Sequence, residues 1–349
     1  MTFRMDARYL GCFAACLIGS SVTVLAQVQG YTYTQTQSQS QGALTPQDSV
    51  GILQRISSAA RELSYAGVFV HSTQDRTSAS RITHVSTRGE EWERIESLDG
   101  PLQEIIRRNE ELYCYQPESK TVRLDRRISG RFFPSLLKGT PQAILENYNV
   151  RLGPTERISG HDCQWVFLDP KDSLRFFQRL CAEIGSGLLL RAKVFNNRNQ
   201  VLEQFTFTEL RFGKEGARDF GHEHIKSRLK EKQAGWQTED NAQRNLKNND
   251  TGWVAASPPP GFKKIMETKR TVAGKSQPVS HLVFSDGLAS ISVFVEALGG
   301  NAKGQSNGAE DGMYSYALRT VADHQVTVLG EVPISAAQML ANSIEPKTR

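Results

Sequence analysis

Val201-Leu202-Glu203-Gln204-Phe205-Thr206-Phe207-Thr208-Glu209-Leu210 is the stretch whose reading decides the fold. In an extended chain Val201, Phe205 and Phe207 fall on one face and Gln204, Thr206 and Thr208 on the other, the alternation of an antiparallel strand with one face buried and one in water. Upstream, strand-like runs recur at Tyr65 to His71, Ser80 to Val85, Trp92 to Leu98, Gln103 to Arg108, Leu112 to Tyr115 and Thr121 to Asp125. Turn signals such as Asp99-Gly100-Pro101 separate several of them. Cys163 to Leu168, Leu174 to Cys181 and Leu188 to Phe195 continue the series, after an irregular Pro134 to Tyr148 segment suited to short helices. Before the first strand, Thr45-Pro46 with Asp48 starts a helix, and Val50, Leu53, Ile56, Ala60 and Leu63 recur at helical spacing. The expectation is an α+β fold whose main element is a large curved antiparallel sheet with helices on one side.

Residues 214–250 are dense in charged and amide side chains, and composition makes them a polar linker. A smaller α+β domain follows over residues 251–349, with strands at Ser280 to Ser285, Ser290 to Glu296, Met313 to Thr320 and His324 to Gly330. Pro333 opens a closing helix carrying Ile334, Ala337, Leu340 and Ile344. At the other end, Arg4 and Arg8 precede a largely apolar Leu10 to Leu25 stretch that ends in Val24-Leu25-Ala26, the pattern of a cleaved secretory signal over residues 1–26. An uncleaved anchor fits less well, because Gly19-Ser20-Ser21 interrupts a short stretch. Lipoprotein processing at Cys16 fits least, because only residues 10–15 separate Leu10 from it. Residues 27–44, rich in Gln, Ser and Thr, form a disordered tether, so the mature chain starts near Gln27 and is exported.

The chain has 349 residues and a formal net charge of +5, with both signs mixed along it, so it lacks the basic footprint of a nucleic-acid binder. Loss of the signal leaves Cys114, Cys163 and Cys181. Cys163 and Cys181 lie on successive strands and are the candidate disulfide. A tight turn at Asp169-Pro170-Lys171-Asp172 would set Gln178 opposite Cys163, so a bridge requires a bulge or a longer loop, the alternative being three separate buried thiols. No Cys-x-x-Cys is present, and His222-Glu223-His224 sits in a highly polar stretch with no third ligand indicated, so neither metal nor cofactor is expected. Nucleophile-elbow, phosphate-loop and dinucleotide motifs are also missing. Ser285, His281 and Asp323 could make a hydrolase triad, but Ser285-Asp286-Gly287 also fits a hairpin turn and Asp323-His324 the start of a strand. No enzyme is expected.

Ser64-Tyr65-Ala66-Gly67-Val68-Phe69-Val70, Arg81-Ile82-Thr83-His84, Ser97-Leu98-Asp99-Gly100-Pro101 and Glu104-Ile105-Ile106-Arg107-Arg108 together resemble the opening half of the MucB/RseB family. Further along, Leu202-Glu203-Gln204-Phe205, Pro259-Pro260-Gly261-Phe262, His281 to Phe294 and Asp323 to Pro333 continue the similarity in order. The resemblance implies a two-domain periplasmic regulator of a sigma-E type envelope-stress response. Its large domain, residues 45–213, would be similar to the lipoprotein carrier LolA, a half-open antiparallel barrel lidded by helices. It would bind the periplasmic part of an inner-membrane anti-sigma factor of RseA/MucA type, shield it from site-one proteolysis, and release it when lipopolysaccharide or lipoprotein lipid competes. A longer tether, a longer linker and Cys181 in place of an expected aromatic depart from the family pattern.

On that reading the apolar inner face of the sheet supplies the lipid-pocket candidates Phe69, Trp92, Tyr113, Tyr115, Trp165, Phe177, Phe205 and Phe207, residue types that equally serve as ordinary core. Arg94, Arg107 and Arg108, with Phe284, Phe294, Tyr314, Tyr316 and Val328 of the second domain, are the partner-interface candidates. Arg81 joins the cations that could meet a phosphate or an acidic segment, cross-strand pairing being the competing role. Homo-oligomers stay open, and a periplasmic lipid or lipoprotein carrier is the alternative function.

Overall fold

The computed structural model describes residues 44–347 except 88, 127–131, 214–221, 231–234, 241–249, 271–276 and 299–305. The signal over 1–26 and nearly all of the tether over 27–44 lie outside the described residues. Helix α1 (Pro46–Glu62) starts where Thr45 caps it: Thr45 Oγ1 accepts from the Asp48 amide at 3.1 Å, and Asp48 Oδ2 accepts from the Thr45 amide at 3.2 Å. It buries Leu53, Ile56, Ala59 and Ala60.

Strands β1 (Tyr65–Thr73), β2 (Thr77–Thr87), β3 (Glu90–Ser97), β4 (Glu104–Arg108), β5 (Glu111–Gln116) and β6 (Thr121–Arg126) form a meander. Helix α2 (Pro141–Asn147) leads into a second meander of β7 (Tyr148–Ile158), β8 (His161–Pro170), β9 (Phe177–Glu183), β10 (Leu189–Phe195) and β11 (Val201–Phe212). β11 returns to pair with β1, Phe69 opposite Phe207, which joins the two halves into one open sheet. Helix α3 (His222–Lys230) and strand β12 (Gln237–Asp240) complete it. The twelve-stranded order is β12-β6-β5-β4-β3-β2-β1-β11-β10-β9-β8-β7. Every neighbouring pair of its strands is antiparallel except β12 with β6.

The second sheet orders β14 (Lys263–Arg270), β15 (Val279–Ser285), β16 (Ser290–Ala297), β19 (His324–Gly330), β18 (Tyr314–Val321) and β17 (Asn307–Asp311). Helix α4 (Ile334–Ser343) covers one face, and β13 (Trp253–Ala255) pairs with β20 (Ile344–Pro346).

Two stretches differ from the sequence reading for identifiable reasons. Residues 149–158, to which the sequence reading assigns no element, form most of β7, and Gly153-Pro154 sits at a register shift in it, on the sheet edge where a missing amide donor costs no ladder bond. The polar 214–250 segment contains α3 and β12. Ile225 of α3 is 2% exposed and packs with Leu229 and Trp236 over Val85, Trp92, Ile106 and Tyr115. Composition misses this helix because its cations sit on aromatic rings: Arg228 lies 4.5 Å from the Tyr115 centroid and Lys226 5.7 Å from that of Trp92.

Candidate functional site

The two sheets meet through loops. Residues 171–176, between β8 and β9, carry Leu174 onto the core of the six-stranded sheet, while Leu288, in the β15–β16 turn, belongs to the core of the twelve-stranded one. Between these reciprocal knobs lies Arg175, whose side chain is 0% exposed and whose Nε donates to Asp286 Oδ2 at 2.7 Å, itself 0% exposed. The other guanidinium nitrogens donate to Asp172 and, at 2.6 Å, to the Pro260 carbonyl, and the guanidinium lies 4.7 Å from the Phe262 ring centroid. Tyr148 donates its hydroxyl to the same Asp286 oxygen at 3.4 Å. Asp286 Oδ1 accepts from the Leu288 and Ala289 amides at 2.9 and 2.8 Å. Ser285-Asp286-Gly287 is therefore a turn whose carboxylate also clasps the neighbouring domain.

Gly139 and Lys138 donate their amides to the Gly287 carbonyl at 2.7 and 3.1 Å. A Cβ on Gly139 would stand 2.4 Å from Gly287 Cα, and Gly287 has φ +95°, so both positions require glycine. Beside this contact Met313, at the β17–β18 turn, packs with Phe176, Val194 and Leu202. Two grooves run along the seam. One of about 790 Å³ is lined by Asp172, Phe177, Arg198, Glu310 and Ile334, and one of about 1050 Å³ by His71, Asp75, Arg76, Asp99 and Tyr314.

The aromatic candidates do not gather in one pocket. Residues directly opposite in a ladder share a face. Phe69, Phe205 and Phe207 lie on the face covered by α1 and α2, and Phe133, from the segment before α2, stands over them with ring centroids at 5.5, 5.4 and 5.0 Å. Tyr113 faces Ile106, which faces Arg94, on the opposite side, so Trp92, Tyr113 and Tyr115 lie under α3 instead. Trp165, opposite Cys181, and Phe177, opposite Phe195, also point away from Phe205. There Arg179 sits 4.5, 5.6 and 6.0 Å from the centroids of Phe167, Phe177 and Phe195. Cys163 and Cys181 are joined, with Cα atoms 5.4 Å apart. The loop at 171–176 is longer than a tight turn, so Glu183 rather than Gln178 lies opposite Cys163.

The arginine candidates are engaged within the sheet. Arg94 pairs with Glu104 at 2.6 Å and Glu96 at 3.0 Å, Arg108 with Glu90 at 2.9 Å, and Arg107 with both Glu91 and Glu93. Burial alone would raise the Glu91 carboxyl, but hydrogen bonds from His84 and Arg107 outweigh it and hold the carboxyl at about 2. Burial, reinforced by Glu93, pushes the Tyr65 hydroxyl well above its ordinary value. Of the second-domain candidates, Phe284 and Val328 are core at 3% and 0% exposure, and Phe294 stacks on His281 at 4.3 Å. Tyr314 and Tyr316 are exposed, and Leu329, opposite Tyr316, extends that surface. Ser285 Oγ donates to the Ala289 carbonyl at 2.8 Å, while Asp323 holds His324 Nδ1 at 2.7 Å, so Ser285 and Asp323 serve a turn and a neighbouring histidine.

Sequence reasoning missed Arg175, Phe133 and Gly139. Only Arg175 carried a signal, as a cation enclosed by Leu174, Phe176 and Phe177. Among the described residues no helix is long and apolar enough to cross a membrane.

Comparison with known proteins covers both sheets. Residues 48–232 match the MucB/RseB N-terminal domain and residues 247–345 the MucB/RseB C-terminal domain. The chain is 29% identical over 305 residues to the sigma factor AlgU regulatory protein MucB of Pseudomonas aeruginosa, covering 86% of this chain and 92% of that protein. It is 24% identical over 297 residues to the sigma-E factor regulatory protein RseB of Haemophilus influenzae, covering 84% and 90%. Its structure is similar to the crystal structure of MucB in complex with MucA(peri), with a TM-score of 0.68 and 27% identity over 86% of this chain and 100% of that one.

Proposed function

This chain belongs to the MucB/RseB family, and from that premise we propose that it is a periplasmic negative regulator of sigma-E type transcription. It binds the periplasmic region of an inner-membrane anti-sigma factor, shields that protein from site-one proteolysis, and releases it when lipopolysaccharide or lipoprotein lipid binds. The observation that carries the reading is the likeness, through both domains, to MucB held in a complex with MucA(peri). Residues 45–213 sense lipid, 214–250 connect while adding α3 and β12 to the first sheet, and 251–349 hold the partner, whose segment follows the seam grooves and the exposed Tyr314 and Tyr316. The signal-like residues 1–26 support export to the periplasm.

A regulator of this kind needs no catalytic step. It needs two binding sites coupled through a free energy, so lipid and partner must weaken each other equally. Residues 132–139 suit that coupling: Phe133 stands over Phe69, Phe205 and Phe207, while Lys138 and Gly139 hold Gly287 across the seam. An acyl chain taking the place of Phe133 would pull on the contact between the domains. A lipid carrier would leave the buried Arg175–Asp286 clasp without a use.

The test is calorimetry of the mature chain with the periplasmic region of its own organism's anti-sigma factor. Expected is a saturable complex that lipopolysaccharide weakens, with the same factor lost in lipopolysaccharide affinity when the anti-sigma region is present. Absence of binding would overturn the reading.

A further inference from the structure

The parallel strand β12 is unlike its neighbours. The burial of Gln237, Thr238 and Glu239 is that of a strand exposed on both faces, and its register runs Gln237 to Thr121, Thr238 to Val122 and Glu239 to Arg123. Among the described residues it is held by the backbone ladder, by the Gln237 amide on the Lys120 carbonyl at 2.8 Å, and by the ion pair of Arg123 Nε with Glu239 at 2.9 Å, both side chains half exposed, while Trp236 just before it packs with α3, 6.4 Å from the Tyr115 ring centroid. A parallel ladder of four residues is a weak attachment, and an exposed ion pair adds little to it. The preceding helix is attached very differently. α3 buries Ile225, and Arg228 both pairs with Glu104 at 3.0 Å and covers Tyr115. β12 can therefore leave the sheet while α3 and Trp236 stay docked.

We propose that the edge of β6 is a docking edge for an extended acidic peptide segment of a protein partner, and that β12 is its built-in, exchangeable occupant. Strand addition supplies affinity through main-chain hydrogen bonds and selectivity through alternate side chains. The side-chain preference is written in the occupant: Glu239 faces Arg123, and Lys120 adds a second cation at the start of the edge. Exchange also explains why β12 buries so little, since a strand anchored by large apolar side chains would block the edge permanently. An unoccupied β6 would be an open edge of the kind that invites aggregation, so a weak resident strand protects it between partners. The β6 edge is remote in the sheet order from the β1–β11 pairing, and docking there does not depend on the identity of the lipid signal.

The test uses the full mature chain and a synthetic peptide, Gly-Trp-Gln-Thr-Glu-Asp, copying residues 235–240. In the double variant Gln237→Pro with Glu239→Lys, exchange of the Val122 and Leu124 amides, which face β12, should accelerate about tenfold or more, with helical and sheet circular dichroism otherwise retained. Added peptide should restore protection saturably, and a peptide carrying Lys in place of the Glu should bind about two- to fivefold more weakly. Arg123→Glu in the otherwise native chain should also speed exchange at Val122 and Leu124, and adding Glu239→Arg should restore it, a charge swap that stays readable should the proline variant fold poorly. Unchanged exchange in both variants, or no protection by peptide, would overturn the docking edge. Equal binding of the Glu and Lys peptides would overturn its acidic preference.

Discussion

Replacing Asp286 by Asn should unclasp the two domains without disturbing the turn that carries it. An Asn at 286 still offers a carbonyl oxygen to the Leu288 and Ala289 amides, now at 2.9 and 2.8 Å, so the hairpin persists. What disappears is the charge facing Arg175, which is fully enclosed and 2.7 Å away. Breaking one side of a buried pair costs about 3–5 kcal/mol because the other charge is left uncompensated. Asp172, one-third exposed, still holds the guanidinium, which puts the expected cost near the lower end, about 3 kcal/mol. With a urea m-value of about 2–3 kcal/mol/M, that is a midpoint shift of roughly 1–1.5 M. The variant should also unfold in two transitions, the six-stranded domain and the twelve-stranded domain separately, where the clasped parent is expected to unfold in one. Arg175→Met alone should cost a similar amount, while the double variant should cost less than the sum by about 1–3 kcal/mol. Single variants within about 0.5 kcal/mol of the parent, or a strictly additive cycle, would refute the clasp.

Phe133→Ala should destabilise the first domain by about 3–5 kcal/mol, yet raise its affinity for a fluorescent fatty acid, because it empties the place over Phe69, Phe205 and Phe207; weaker fatty-acid binding would count against the lipid site. Replacing Cys163 and Cys181 together by Ser should cost about 3 kcal/mol, from the chain-entropy relation for a separation of 18 residues, read as a lower melting temperature. Glu91 has a folded pKa of about 2 against an ordinary 4.5, so its stabilisation is complete above the ordinary value and is lost as pH falls through the folded one. Denaturation followed from pH 6 to pH 2 should therefore fall less steeply in Glu91→Gln, by on the order of 2 kcal/mol, and an unchanged pH slope would contradict the His84–Glu91–Arg107 network.

Much of the sheet was legible because one face of strands such as β11 is buried and the other wet, so Phe205 and Phe207 announce themselves by period. The placement of the aromatic candidates was not legible, for a related reason. Period assigns parity within a strand, but α1 and α2 cover one side of this sheet and α3 the other, so Trp92 and Phe69 look alike in sequence while facing opposite ways. The domain clasp was hidden by residues that read correctly as something else. Asp286-Gly287 does form a turn, and only the third dimension brings Arg175 and Gly139 to it. The ion pairs of the arginine candidates form because strand-borne glutamates, Glu90, Glu91, Glu93 and Glu104, lie within reach across the ladder, a register that sequence alone does not fix.

The most direct measurement is reconstituted cleavage of the cognate anti-sigma factor by its site-one protease, with and without the mature chain, followed by addition of lipopolysaccharide. Expected is slowed cleavage that lipopolysaccharide restores, with Asp286→Asn protecting less well than the parent. Cleavage at the same rate with and without the chain would contradict the regulator reading.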